Sequence, residues 1–166
     1  MISIRPYEAG DLDQCRRLWE QLTEHHREIY GDLTIGGDEP GLFFDKHLVK
    51  VGATRIWVAV DEGVVCGIVG LIVAGEEAEI EPVVVMKDHR GDGVGRQLLT
   101  HAVAEARRLG VRFLSIAPVA RNRRAIELFV REGFATVGRI ELFTELQPSD
   151  RRWEDGVTPH GLPIRL

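Results

Sequence analysis

Cysteine is scarce in this chain of 166 residues: Cys15 and Cys66 are its only two. They stand far apart and form no C-x-x-C pair, so neither a disulfide framework nor a zinc site is expected, no metal ligands are assigned, and both are read as reduced thiols. Net positive charge is missing as well. A formal charge of −5 argues against general nucleic-acid binding, because phosphate backbones are recognised by a basic face. Long apolar runs are also absent. The longest, Val64 to Ala74, is broken by glycines, and the opening MISIRPYEAGD carries no apolar signal core, so the expectation is a cytoplasmic protein without a membrane partner. There is no internal repeat, low-complexity tract or long linker. With 44% hydrophobic and 28% charged residues, residues 1–166 read as a single domain with its own core.

What the sequence does contain is concentrated in EIEPVVVMKDHRGDGVGRQLL, Glu79 to Leu99. Glu79 to Met86 is rich in β-branched residues and reads as a strand, with Pro82 marking a bulge, an irregular pairing or an edge. From Val94 the apolar positions Leu98, Leu99, Ala102, Val103 and Ala106 recur at helical spacing until Gly110 stops them. Between strand and helix lies a turn with Gly91, Gly93 and Gly95. The first amides of a helix lack internal acceptors and sit at the positive end of its dipole, and glycines let an anion approach them. No Lys-Ser or Lys-Thr pair follows, which excludes an NTPase phosphate loop, and the spacing is not that of a dinucleotide fingerprint. The expectation is therefore a cradle for another kind of pyrophosphate.

The remaining elements follow in order. Ile2 to Arg5 predicts a short strand, and Asp11 with Gln14 predicts the cap of a helix that presents Leu12, Cys15, Leu18, Trp19 and Leu22 and ends at Gly31. Gly31 to Gly41 is a loop, and Gly41 to Lys50 a short helix with Leu42, Phe43 and Leu48 inward. Arg55 to Val60 and Val64 to Val73 form a hairpin across Asp61, Glu62 and Gly63, and Arg112 to Ala117 is another strand. After the helix that begins at Asn122, Ala135 to Glu145 predicts a strand, and Leu162 to Leu166 is expected to pair beside it. The sum is an α+β fold, a mixed and mostly antiparallel central sheet with helices on both faces.

Two of these stretches carry a resemblance. Arg90, Gly93 and Gly95 spell R-x-x-G-x-G after a strand and before a helix, and NRRAIELFVREGF from Asn122 to Phe134 looks like an N-x-x-A helix ending in Gly-Phe. Together they resemble the GNAT superfamily of acyl-CoA-dependent N-acetyltransferases, whose order of elements covers Ile2 to Glu145. The resemblance implies acetyl-CoA as co-substrate, with its pyrophosphate and pantetheine near Val85, Met86, Arg90, Gly91, Asp92, Gly93, Val94, Gly95, Arg96, Asn122 and Phe129. It implies a primary amine, on a small molecule or a protein, as acceptor, and leaves a homodimer open because members are often dimers.

An amine with an ordinary pKa near 10.4 is protonated at neutral pH, so a base must free it. Glu81 is the first candidate and Glu79 the second, since both lie on one face of the strand near its middle. Phe129 stands where many members have a tyrosine proposed to protonate the leaving thiolate, so the general acid is unassigned. That departure motivates the alternative of a non-catalytic acyl-CoA-binding or regulatory domain. Asn122 is explained equally well as a helix cap, and the run Arg121, Arg123, Arg124 as a solvated face. His25, His26 and Tyr30 fall where the family forms its acceptor wall, without a catalytic assignment. Two further matches are set aside. The Arg90-Gly91-Asp92 tripeptide lies within the anion turn, and Gly36-Gly37-Asp38-Glu39 lacks the strand a nucleotide-cyclase hairpin needs.

Overall fold

The computed structural model describes residues 1–148, 153, 155 and 156. Five strands lie side by side in chain order: β1 (Ser3–Pro6), β2 (Ile56–Asp61), β3 (Val64–Ala74), β4 (Glu77–Val85) and β5 (Phe113–Ile116). The first four pair antiparallel. The fifth joins parallel to β4, which requires a crossover, supplied by helix α3 (Val94–Arg108). The β2–β3 hairpin turns through Glu62 at φ 49° and Gly63 at φ 83°, the pair of left-handed residues that suits the twist of a tight hairpin.

Helices α1 (Leu12–Tyr30) and α2 (Phe43–Val51) cover one face, and α3 with α4 (Arg123–Arg131) covers the other. On the first face Cys15, Leu18, Phe44 and Val51 pack against Ile56, Val58, Val65, Ile68 and Val84. On the second, Leu98, Leu99, Ala102, Ala106 and Phe129 pack against Trp57, Val69, Leu71, Ala78 and Ile80. This is the expected α+β sheet with a helical layer on each side. No helix among the described residues is long and apolar enough to cross a membrane.

Four expectations need correction or lie out of reach. Asp11 does not cap α1 with Gln14. Its carboxylate takes two N–H groups of Arg5 at 2.7 and 2.8 Å and the Glu8 amide at 2.9 Å, and Gln14 instead accepts the Val65 amide at 3.0 Å. A bidentate guanidinium offers two charge-assisted bonds where a helix end offers one neutral amide. In α2 the inward set is Phe44, His47 and Val51, while Leu42 and Phe43 are exposed. Residues Ala135 to Glu145 form no strand. Strand preference reflects fit to a half-buried pleated surface, and here Val137, Ile140, Leu142 and Phe143 are all exposed. Leu162 to Leu166 lie outside the described residues.

Candidate functional site

The site is built on an irregularity in β4. Val69 pairs with Val83 and Leu71 with Ile80, so Gly70 alone faces two residues, Glu81 and Pro82. This is a β-bulge, and it shifts the side-chain alternation by one. Ala78 and Ile80 before it, and Val83 and Val85 after it, all face the α3/α4 layer. Glu79 and Glu81 alternate with Ala78 and Ile80 and so face the α1/α2 layer, which Val84 joins on the far side of the bulge.

The pairing of β4 with β5 ends at Ile80 opposite Ile116. Beyond it β4 keeps β3 as a neighbour, and a notch opens on its other edge. The Met86 amide donates to Cys66 O at 2.8 Å. By ladder alternation the main-chain groups of Val83 and Val85 therefore turn toward the notch. At its end Arg90 Nε donates to Val85 O at 3.0 Å.

The chain then enters the glycine turn. Gly91 adopts φ 107° and Gly93 φ 82°, conformations that an L side chain resists. Gly93 is the residue before α3, and no side chain caps that end, so the first-turn amides of Val94, Gly95 and Arg96 remain without intrahelical acceptors. A Cβ on Gly95 would come within 3.2 Å of Leu128 Cδ2 and 3.6 Å of Val85 Cγ2. Glycine at this position lets α4 and β4 close around the start of α3.

The arginines at and just before the start of α4 separate by role. Arg123 Nε pairs with Glu127 at 2.9 Å on the surface. Arg121 stacks over Tyr30 at 5.2 Å. Arg124 reaches back over the turn, its Nη2 only 3.9 Å from where a Gly91 Cβ would stand. Burial first, then the charge of Arg124, pull the Arg90 guanidinium below its ordinary pKa, against the opposing Glu28. Two cations and a helix N-terminus thus converge on one turn, an arrangement suited to a polyanion.

The other named residues fall into place around it. Asn122 caps α4, its Oδ1 accepting the Ala125 amide at 3.2 Å. Asn122→Ala is expected to cost about 1 kcal/mol, read as a lower midpoint in chemical denaturation. Phe129 is buried in the core behind the turn, 7% exposed. The Arg96 side chain points away to Glu132 at 3.2 Å, leaving its amide at the turn. Gln21 of α1 accepts the Lys87 amide at 3.1 Å and ties α1 to the end of β4. Asp92 is exposed.

On the α1/α2 side, Glu81 sits 3.5 Å from Lys50 Nζ and 3.8 Å from His47 Nδ1. His47 and Lys50 were not singled out from the sequence. The available signal was the spacing Phe44, His47, Val51, which places the histidine in the buried stripe of α2. Alongside, α1 and residues 38–42 enclose a cleft of about 530 Å³ lined by Arg17, Glu20, Gln21, Glu24 and Arg27. Arg27 is engaged by Ile35 O and Gly37 O at 2.9 and 2.6 Å, which holds the loop against α1. His26 is drawn below its ordinary pKa by burial and then by His25.

Solved structures share this architecture. An acetyltransferase of the GNAT family from Staphylococcus aureus Mu50 superposes with a TM-score of 0.71 at 15% identity, covering 91% of this chain and 96% of that one. A ribosomal-protein-alanine N-acetyltransferase from Brucella melitensis gives 0.64 at 25% identity, over 79% and 83%. AAC(6')-Iy, solved with the bisubstrate analogue CoA-S-monomethyl-acetylneamine, gives 0.65 at 17% identity, over 87% and 98%. No curated protein sequence matches the chain significantly. The model of the acetyltransferase (GNAT) family matches residues 15–134, and the chain belongs to that family.

Proposed function

We propose that this protein is a cytoplasmic N-acetyltransferase that moves the acetyl group of acetyl-CoA to a primary amine, on a small molecule or a protein, by direct attack on the thioester. The observation that carries this reading is the turn itself, where the open amides of Val94, Gly95 and Arg96 stand beside Gly91 and the guanidinium of Arg124. These groups would hold the pyrophosphate. The notch beside Val83 and Val85, backed by Met86 and Phe129, would take the pantetheine in hydrogen bonds to the strand. Glu81, across the bulge, would take the proton as the amine nitrogen bonds to the thioester carbon and the carbon–sulfur bond breaks. The leaving group needs no strong acid, because a thiol of ordinary pKa about 8.5 departs tolerably as thiolate. Support comes from the family membership and from AAC(6')-Iy, whose bisubstrate analogue joins CoA to an acetylated amine.

Phe129 keeps the second reading, a non-catalytic acyl-CoA-binding domain, in play. Calorimetric titration with acetyl-CoA tests the shared step. Saturable binding is expected, and it is expected to vanish when valine replaces Gly93, where φ is 82° and a branched side chain would both strain the turn and cover its amides. Release of free CoA in an amine screen then separates the enzyme from the binding domain. Absence of binding at millimolar donor would remove both readings.

A further inference from the structure

We propose that this protein acetylates its own Lys50, whose amine stands where an acceptor amine would meet the base; this rests on reading Glu81 as that base and the β4–α3 turn as the acetyl-CoA site. Lys50 lies in the last turn of α2. Its Nζ is 3.5 Å from Glu81 Oε2, and the two side chains are 58% and 40% exposed. The other carboxylate oxygen, Oε1, faces His47 Nδ1 at 3.8 Å, on a ring that is itself buried. A primary amine of the chain therefore occupies the open side of the carboxylate.

The choice of residue at this place departs from the rest of the chain. Lys46, Lys50 and Lys87 are its only lysines, and every other side-chain cation apart from histidine is an arginine. Arginine makes the close carboxylate pairs, Arg5 with Asp11 and Arg16 with Asp45, each at 2.7 Å. A guanidinium binds a carboxylate through two parallel N–H groups and keeps its proton at any working pH, so it serves a structural pair better and cannot attack a thioester. A lysine in an exposed pair adds little to stability, but once it gives up a proton it is a nucleophile. Among the described residues Lys50 is also the only lysine in an ion pair; Lys46 lies over the Phe43 ring at 4.5 Å.

The reach required is short. Val83, whose main chain turns toward the notch, follows Glu81 by two residues and so by no more than about 6.5 Å, and the four-carbon stem of a lysine is free to swing across that span. In the step, the Lys50 ammonium gives one proton to Glu81, Nζ bonds to the thioester carbon, and the carbon–sulfur bond breaks. The second proton goes to the departing thiolate, so the products are Nζ-acetylated Lys50, free CoA and the proton left on Glu81. Acetylation removes the lysine charge, and Glu81 loses the cation beside Oε2. Any other amine has to displace Lys50 from Glu81, so the modification is made when donor is bound and acceptor is scarce.

The test incubates the full chain with acetyl-CoA alone at neutral pH and follows added acetyl groups by intact mass and peptide mapping. Lys50 is expected to be acetylated at least about tenfold faster than Lys46 or Lys87, because it alone reacts from a held position. That preference is expected to vanish in Gly93→Val, which would hold no donor. The rate at Lys50 is expected to be independent of protein concentration, since amine and donor belong to one molecule. Glu81→Gln is expected to slow it at least about tenfold, and Lys50→Arg to abolish the preferred modification. Equal rates at the three lysines, in a chain that binds acetyl-CoA by calorimetry, would overturn the proposal while leaving the donor site intact. An unchanged Lys50 rate in Glu81→Gln would overturn it as well, because the placement of the amine rests on that carboxylate. Failure to bind acetyl-CoA would instead remove the donor site, and this proposal with it.

Discussion

Glu81→Gln is expected to lower kcat at neutral pH by about 10² to 10⁴, the usual worth of a positioned base, while leaving acetyl-CoA affinity unchanged. The amide keeps the size and one acceptor of the carboxylate but cannot take a proton. The proposed donor site lies across the bulge, on the side of Val83 and Val85, and is not expected to sense the change. At higher pH the deficit should shrink as more of the amine is free without help. Steady-state kinetics from neutral to alkaline pH check both points. Glu79→Gln provides the comparison. Glu79 pairs across the sheet with Ile72 and Ser115, two residues and so about 6.5 Å back along the strand from Glu81. In the proposed reaction one position or the other would reach the reacting nitrogen, and the bulge favours Glu81. Unchanged turnover in the Glu81 variant, with loss in the Glu79 variant, would transfer the role.

Gly70→Ala should produce the largest loss of stability of any single methyl group added to the sheet. The new Cβ would meet Glu81 O, and Pro82 Cδ at 3.2 Å. Both belong to the backbone or to a proline ring, so no flexible side chain can yield. Overpacking of this kind costs about 1 to 3 kcal/mol. For a chain of this length each kcal/mol lowers Tm by about 2 to 4 °C. Thermal unfolding followed by circular dichroism measures it. Turnover should fall further than the loss of folded protein explains, because the only relief open to the backbone is to straighten the bulge that sets the direction of Glu81. A variant with full stability and full turnover would mean that Gly70 is not what makes room for the bulge.

The legible parts of the fold were those in which one segment carries its own instruction. The glycines after Met86 and the apolar period from Val94 to Ala106 place the β4–α3 turn without help from the rest of the chain. The turn at Glu62 and Gly63 does the same for the hairpin. Asn122 was open between cap and ligand, and the structure has it capping α4. What escaped depends on partners distant in sequence. Pro82 announced an irregularity, but the face each later residue takes is set by Gly70 on the neighbouring strand. His47 falls in the buried stripe of α2, but its neighbours Trp19 and Glu81 come from other elements. Arg124 is indistinguishable from Arg123 in the sequence, and only the approach of α4 to Gly91 tells them apart. In the sequence Asp11 resembles a local cap, because its partner Arg5 lies on a different element. Residues Ala135 to Glu145 have strand composition but no ladder that would realise it.

The slipped alternation of β4 also bears on how such a protein can diversify. A regular strand would place every second side chain on the same face, so a change made for one ligand would crowd the layer that serves the other. Here Val83 and Val85 answer to α3 and α4, while Glu79, Glu81 and Val84 answer to α1 and α2. The two helical layers thereby draw on different residues of one strand. Substitutions in α1, in α2 and in the loop between them can remodel one side of the sheet while the grip on the other side is passed on unaltered.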